Sequence, residues 1–183
     1  MDLRADSLAS THAIAAALAG VARPGDVIVL AGEMGAGKTA FAQGFGRALG
    51  IDEAITSPTF TLVHSYPIPG SKRTLHHADL YRLDTTDDVE ELALHELAEF
   101  GGIVLVEWGD VVAATFGDHL EVRIEHVEPD ADATDDAVEE AGAEAADDDF
   151  GLDSARSIHL EATGIGWAGR WDRLASAMGP FRC

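Results

Sequence analysis

The chain has 183 residues, 12 Lys and Arg against 33 Asp and Glu, a formal net charge of −21 and a hydrophobic fraction of 46%. That length and apolar content suit one α/β domain with a substantial core and leave little room for a second. The charge argues against non-specific adhesion to nucleic acid or an anionic membrane, and a single cysteine, Cys183, excludes an internal disulfide and a cysteine-based metal cluster.

No apolar run approaches the roughly 20 residues needed to span a bilayer, and the opening MDLRADS lacks a basic stretch leading into an apolar signal core. A soluble, cytoplasmic protein without membrane attachment is expected. Leu8 to Ala22 is Ala-rich, with Leu8, Ile14, Leu18 and Val21 as larger anchors, and reads as a helix beside the first core strand. Val27 to Leu30 follows the turn-like Pro24-Gly25-Asp26 as a continuous apolar strand, and Lys38 to Leu49 reads as a helix.

Between that strand and helix lies GEMGAGKT, Gly32 to Thr39. It matches G-x-x-x-x-G-K-[ST], in which glycines let backbone N–H groups turn inward on phosphates, and the lysine places a point charge near the β and γ positions. Lys38 fills that role here, and Thr39 supplies a hydroxyl for Mg2+. The strand-loop-helix setting favours a nucleoside triphosphate site over an incidental Gly-rich turn.

Ser57-Pro58-Thr59-Phe60 comes next. Pro58 restricts Ser57 to an extended conformation, so the hydroxyls at 57 and 59 either face the γ-phosphate from a stiff loop or belong to a simple strand entry. Thr61 to Val63 and Arg73 to Asp79 read as strands joined through Tyr66-Pro67-Ile68-Pro69-Gly70, which puts an antiparallel pairing into the sheet. Asp87 to Phe100 reads as a helix with an acidic first turn, stopped by Gly101-Gly102. Ile103 to Val106 is an uninterrupted apolar strand ending in Glu107-Trp108-Gly109, as expected for a doubly covered central strand.

A phosphate cradle needs carboxylates to hold Mg2+ and to position an attacking group, and these sit at the C-terminal ends of neighbouring strands. Glu107 and Asp79 both end strand-like segments. The alternative is that Glu107 ends its strand in water and Asp79 caps the turn into Leu80-Tyr81-Arg82. His77 shares a strand face with Asp79 by alternation, which allows a His/Asp metal pair, although hard Mg2+ prefers oxygen. Arg82 is the best-placed cation for a phosphate or partner contact, with a surface salt bridge as its alternative.

Leu120 to Val127 and Ser157 to Ala162 read as late strands, and Trp167 to Met178 as a terminal helix. Between the late strands, Glu128 to Asp149 carries eleven acidic residues and no Lys or Arg, leaving −10 for the rest of the chain. It has too little large apolar surface to offset its ordering entropy and is expected to be a disordered insertion or an acidic partner-binding arm. The chain lacks asparagine, so the Asn-Lys-x-Asp signature that reads guanine is absent, which argues against a conventional GTPase.

GEMGAGKT, SPTF followed by TLV, HHADLYRL and LVEWG, in that order, resemble the TsaE family of tRNA threonylcarbamoyladenosine biosynthesis over about Pro24 to Gly109. The resemblance implies a P-loop NTPase-like three-layer α/β sandwich with a mixed, mainly parallel central sheet. It implies ATP hydrolysis in support of the partner proteins TsaB and TsaD, with tRNA met only through their complex. It also implies ATP and Mg2+ held by Gly32, Glu33, Met34, Gly35, Ala36, Gly37, Lys38, Thr39 and Ala40. Thr59 would belong to a switch-like loop and Trp108 would lie beside the nucleotide. Thr39, Asp79 and Glu107 would serve the metal, and Lys38 and Glu107 catalysis, with Glu107 activating water. Glu33-Met34 stands where the family more often has Asp-Leu, and the acidic tract is outside its pattern. Two other classes fit a phosphate loop: a small-molecule kinase, and a binding module gated by nucleotide without turnover.

Overall fold

The computed structural model describes residues 1–58, 60–83, 92–127 and 154–183, with the backbone alone at 110–112 and 114. Its strands are β1 (Asp2–Ala5), β2 (Val27–Ala31), β3 (Val63–Pro67), β4 (Thr74–Asp79), β5 (Ile103–Glu107), β6 (His119–His126) and β7 (Arg156–Thr163). They form one sheet in the order β1-β7-β6-β2-β5-β4-β3. The central β4, β5, β2 and β6 run parallel, and the antiparallel pairings lie toward the two edges.

The apolar runs at 27–31 and 103–107 are the middle of this sheet because both of their faces are covered. Alternation divides them. Ile28 and Leu30 face a core shared with helices α1 (Leu8–Ala19) and α2 (Lys38–Ala48) and the C-terminal helices α4 (Ile165–Ala168) and α5 (Trp171–Ala177). Val27 and Val29 face a second core with Val104, Val106, Phe116 and residues of helix α3 (Leu94–Glu99). Two apolar cores on one mainly parallel sheet make the three-layer α/β sandwich that the sequence implied.

The α1 N-terminus is capped by Ser7, whose Oγ accepts from Ser10 N at 3.2 Å. α1 crosses α2 at Gly44, where a Cβ would lie 2.7 Å from His12 Cα and 3.1 Å from Ala15 Cβ. Gly44→Leu is therefore expected to push the helices apart and cost about 1–3 kcal/mol. A thermal unfolding scan by circular dichroism checks this, and an unchanged midpoint would contradict it. On the same side of the sheet, Asp26 and Arg170 form a buried two-pronged ion pair, with Nη2 to Oδ1 at 2.5 Å and Nη1 to Oδ2 at 2.8 Å.

Several boundaries differ from expectation. β3 begins at Val63, because Leu62 turns the chain with φ of 63° and both Thr61 N and Leu62 N donate to Pro58 O. Tyr66 and Pro67 then belong to the strand, so the hairpin turn falls at 68–73. The terminal helix breaks into α4 and α5 between Ala168 and Trp171. Edge strand β1 and the 3-10 segment Gly109–Phe116 were not expected. Thr59, the start of the helix expected at Asp87, and the acidic tract at 128–149 lie outside the described residues. Among the described residues no helix is long and apolar enough to cross a membrane.

Candidate active site

The loop between β2 and α2 begins flush against β6. At Gly32, with φ of 134°, a Cβ would fall 2.1 Å from Ile124 O, so only glycine lets the chain leave the sheet there. It ends at Gly37, the α2 N-cap, with φ of 110° and no side chain capping the helix. The first turn of α2 therefore keeps N–H groups available and the positive end of its dipole directed at the loop, the arrangement that holds anions. Lys38 is buried; its Nζ donates to Gly32 O and Glu33 O, both at 2.8 Å, and lies 3.7 Å from the centre of the Trp108 ring.

Parallel register brings the two expected carboxylates together. Glu107 pairs with Leu30 on one side and Asp79 on the other, so both acids end their strands beside the loop. Each is only 3% exposed. Thr39 Oγ1 donates to Glu107 Oε1 at 2.9 Å, with Oε2 at 3.2 Å. Asp79 Oδ2 accepts from Ser57 Oγ at 2.6 Å, and its Oδ1 accepts from Tyr81 N at 3.0 Å. Glu107 does not merely end a strand in water, and Asp79 both caps its turn and faces the loop's cavity.

His77 turns to Glu107, not to the pairing with Asp79 that its strand face allowed. Its Nε2 donates to Glu107 Oε1 at 2.9 Å, and its Nδ1 is buried without a partner among the described residues. The neighbouring strand, not the shared face, decides its contact. Two hydrogen-bond donors, Thr39 and His77, thus fix the orientation of one carboxylate.

A cavity of about 510 Å³ opens over these groups, lined by Lys38, Thr39, Asp79 and Glu107, by Gly35 and Gly37, and by Gln43, Ser57, Tyr81, Arg82 and Trp108. A second, of about 460 Å³, lies on the β6 side of the loop, against Gly32, Glu33, Ala36, Arg123, Glu125 and His126. Trp108 lines both. It holds φ of 61°, meets the Tyr81 ring at a tilt of 52° with ring centres 5.0 Å apart, and its N donates to Leu30 O at 3.2 Å.

The donor set fits Mg2+. Thr39, Glu107 and Asp79 present a hydroxyl and two carboxylates, the hard oxygens this ion prefers, and phosphate and water complete its shell in sites of this kind. No three His, Cys, Asp or Glu side chains gather as a metal cluster among the described residues.

A glycine-rich loop between a central parallel strand and an uncapped helix, with acids at the ends of adjoining strands, defines the P-loop NTPase-like class. The solved structure of YdiB from Bacillus subtilis is similar to this chain, with a TM-score of 0.66 at 26% identity, covering 98% of this chain and 94% of that one. The family model described as threonylcarbamoyl adenosine biosynthesis protein TsaE matches residues 5–134, and the chain belongs to the TsaE family. Relatives named tRNA threonylcarbamoyladenosine biosynthesis protein TsaE include one from Bacillus subtilis, 43% identical over 102 residues, and one from Streptomyces coelicolor, 40% identical over 110. These alignments cover 56% and 59% of this chain. The chain spans 62% of the length of the first relative and 74% of the second.

Lys38, Thr39, Asp79, Glu107 and Trp108 meet at one cavity, with Ala40 and Met34 on its wall. Glu33 and Ala36 face the second cavity. Gln43 and Tyr81 escaped notice, yet both had signals: Gln43 sits one helical turn after Thr39, and Tyr81 two residues after Asp79.

Proposed function

We propose that the chain binds ATP with Mg2+ and hydrolyses it as the ATPase component of tRNA threonylcarbamoyladenosine formation, acting with TsaB and TsaD and meeting tRNA only through them. The observation that carries this reading is the junction of Thr39 and Glu107. It joins the phosphate loop to a buried carboxylate inside a cavity with an uncapped helix end. Membership of the TsaE family supports the pathway.

Lys38 leaves its two loop carbonyls to meet the phosphates, and the first-turn N–H groups of α2 complete the anion site. Thr39, Asp79 and Glu107 would hold Mg2+, which would neutralise phosphate charge. Glu107, held by His77, accepts a proton from the attacking water as the bond to the terminal phosphoryl group breaks. The second cavity takes the base and sugar, with Trp108 between the two halves of the nucleotide.

Steady-state ATP hydrolysis, with and without TsaB and TsaD, tests the proposal. Slow turnover alone and stimulation by the pair is the expected result, because Arg82, the arginine on the wall of this cavity, lies over the Phe60 ring, 4.6 Å from its centre. Turnover that requires a small acceptor and ignores both proteins would instead make the chain a kinase. ATP binding without turnover under any condition would make it a nucleotide-gated binding module.

A further inference from the structure

The phosphate loop has a second support, reached from the far end of the chain. Arg156, the first residue of β7, is 3% exposed, and its Nε donates to Ala36 O at 2.9 Å across 120 positions of sequence. Its Nη1 donates to Ser154 O at 2.7 Å, to Ser154 Oγ, and to Ala155 O at 3.2 Å. The guanidinium is thus fixed from behind by its own turn while its Nε reaches the loop. The backbone of Arg156 is paired on both sides, with Ala5 of β1 and His126 of β6, so its stem rises from a strand that cannot shift independently.

The bonded carbonyl belongs to the peptide joining Ala36 to Gly37. In a trans peptide the C=O and the following N–H point in opposite directions, and no peptide of the described chain is cis. Drawing Ala36 O toward Arg156 therefore turns the Gly37 N–H the other way. Gly37 lines the larger cavity, whereas Ala36 lines the smaller one and buries its side chain in the core. A cation on the carbonyl also polarises that peptide, making its N–H a stronger donor.

We propose that Arg156 is a positioning residue for the phosphate site: by holding Ala36 O it aims and polarises the Gly37 N–H toward the bound phosphate. This rests on the nucleotide reading above and adds a residue outside every motif that carried that reading. Arg156 itself stays behind the loop and does not touch the nucleotide.

The test is calorimetric titration of the full chain with Mg2+ and ADP, in wild type, Arg156→Met and Arg156→Gln. The methionine variant, which has no donor for Ala36 O, is expected to bind ADP about tenfold more weakly, the loss for one charge-assisted hydrogen bond. The glutamine variant, whose Nε2 amide stands where the arginine Nε stood, keeps a neutral donor for Ala36 O and should recover to within about threefold of wild type. In the nucleotide-free proteins, the 15N amide signal of Gly37 should move in Arg156→Met and stay nearer its wild-type position in Arg156→Gln.

A side chain that only braces the turn at Ser154 would leave the Gly37 signal and the ADP affinity unchanged in folded Arg156→Met, and that result overturns the proposal. Should Arg156→Met fail to fold, the wild type decides. Its Arg156 Nε–H resonance must be protected from solvent exchange and must shift on adding ADP, and an unprotected, unmoved signal overturns the proposal. A wild type that binds no ADP removes the nucleotide reading itself, a failure separate from unaltered binding in the variants.

Discussion

Glu107→Gln is expected to lower ATP turnover, measured with partners present, by about a hundredfold or more while leaving ATP affinity within a few-fold of wild type. The substitution removes a proton acceptor and the charge of one oxygen ligand that would serve Mg2+, so affinity is compared at saturating Mg2+. A glutamine carbonyl has the volume and the lone pairs to accept from Thr39 Oγ1 and His77 Nε2, the two bonds that orient the side chain now. The strand end is also independently held, since Leu80 N donates to Glu107 O at 3.0 Å. Rapid-quench single-turnover measurement separates the chemical step from binding. Turnover within a few-fold of wild type would take Glu107 out of the proton-transfer role and leave it as a support for Thr39.

Asp26→Ala is expected to destabilise the chain by about 3–5 kcal/mol, the cost of leaving a buried cation without its counter-charge. Arg170 packs its guanidinium 4.1 Å from the Trp167 ring centre, and Nη1 also donates to Val21 O at 3.2 Å, so it cannot swing into water without dismantling α4. The same aspartate accepts from Arg23 N at 2.7 Å and closes the turn that launches β2. Urea unfolding measures the loss. Adding Arg170→Met to Asp26→Ala should return part of it, because an apolar side chain there has no charge to satisfy. A loss under about 1 kcal/mol for the single variant would mean that water reaches the pair.

The parts of the fold legible in the sequence are those whose signals are local. The apolar runs at 27–30 and 103–106 are continuous because their strands are covered on both faces, and glycine spacing marks the loop between strand and helix. The carboxylates at 79 and 107 could be placed at strand ends, and parallel register then made them neighbours. What escaped was non-local. β1 is four residues, DLRA, alternating exposed and buried, and exists because it pairs with β7 from the other end of the chain. The break at 169–170 follows from Arg170 turning back to Asp26, a partner no helical periodicity reveals. His77 reads as the neighbour of Asp79 along its own strand, yet the adjoining strand supplies its contact. Leu62 carries no turn signal for its positive φ, so the sequence places the start of β3 at Thr61 where the strand begins at Val63. Arg156, after the acidic tract, gave no sign of reaching Ala36.

The most direct test of the central claim, that Gly32 to Thr39 forms a nucleoside triphosphate site, is equilibrium titration of wild type and Lys38→Ala with ATP and Mg2+ by calorimetry. Saturable one-to-one binding by wild type is predicted, weakened by about tenfold to a hundredfold when the lysine's charge-assisted bonds are lost. No binding by wild type, or equal binding by the two proteins, would contradict the account.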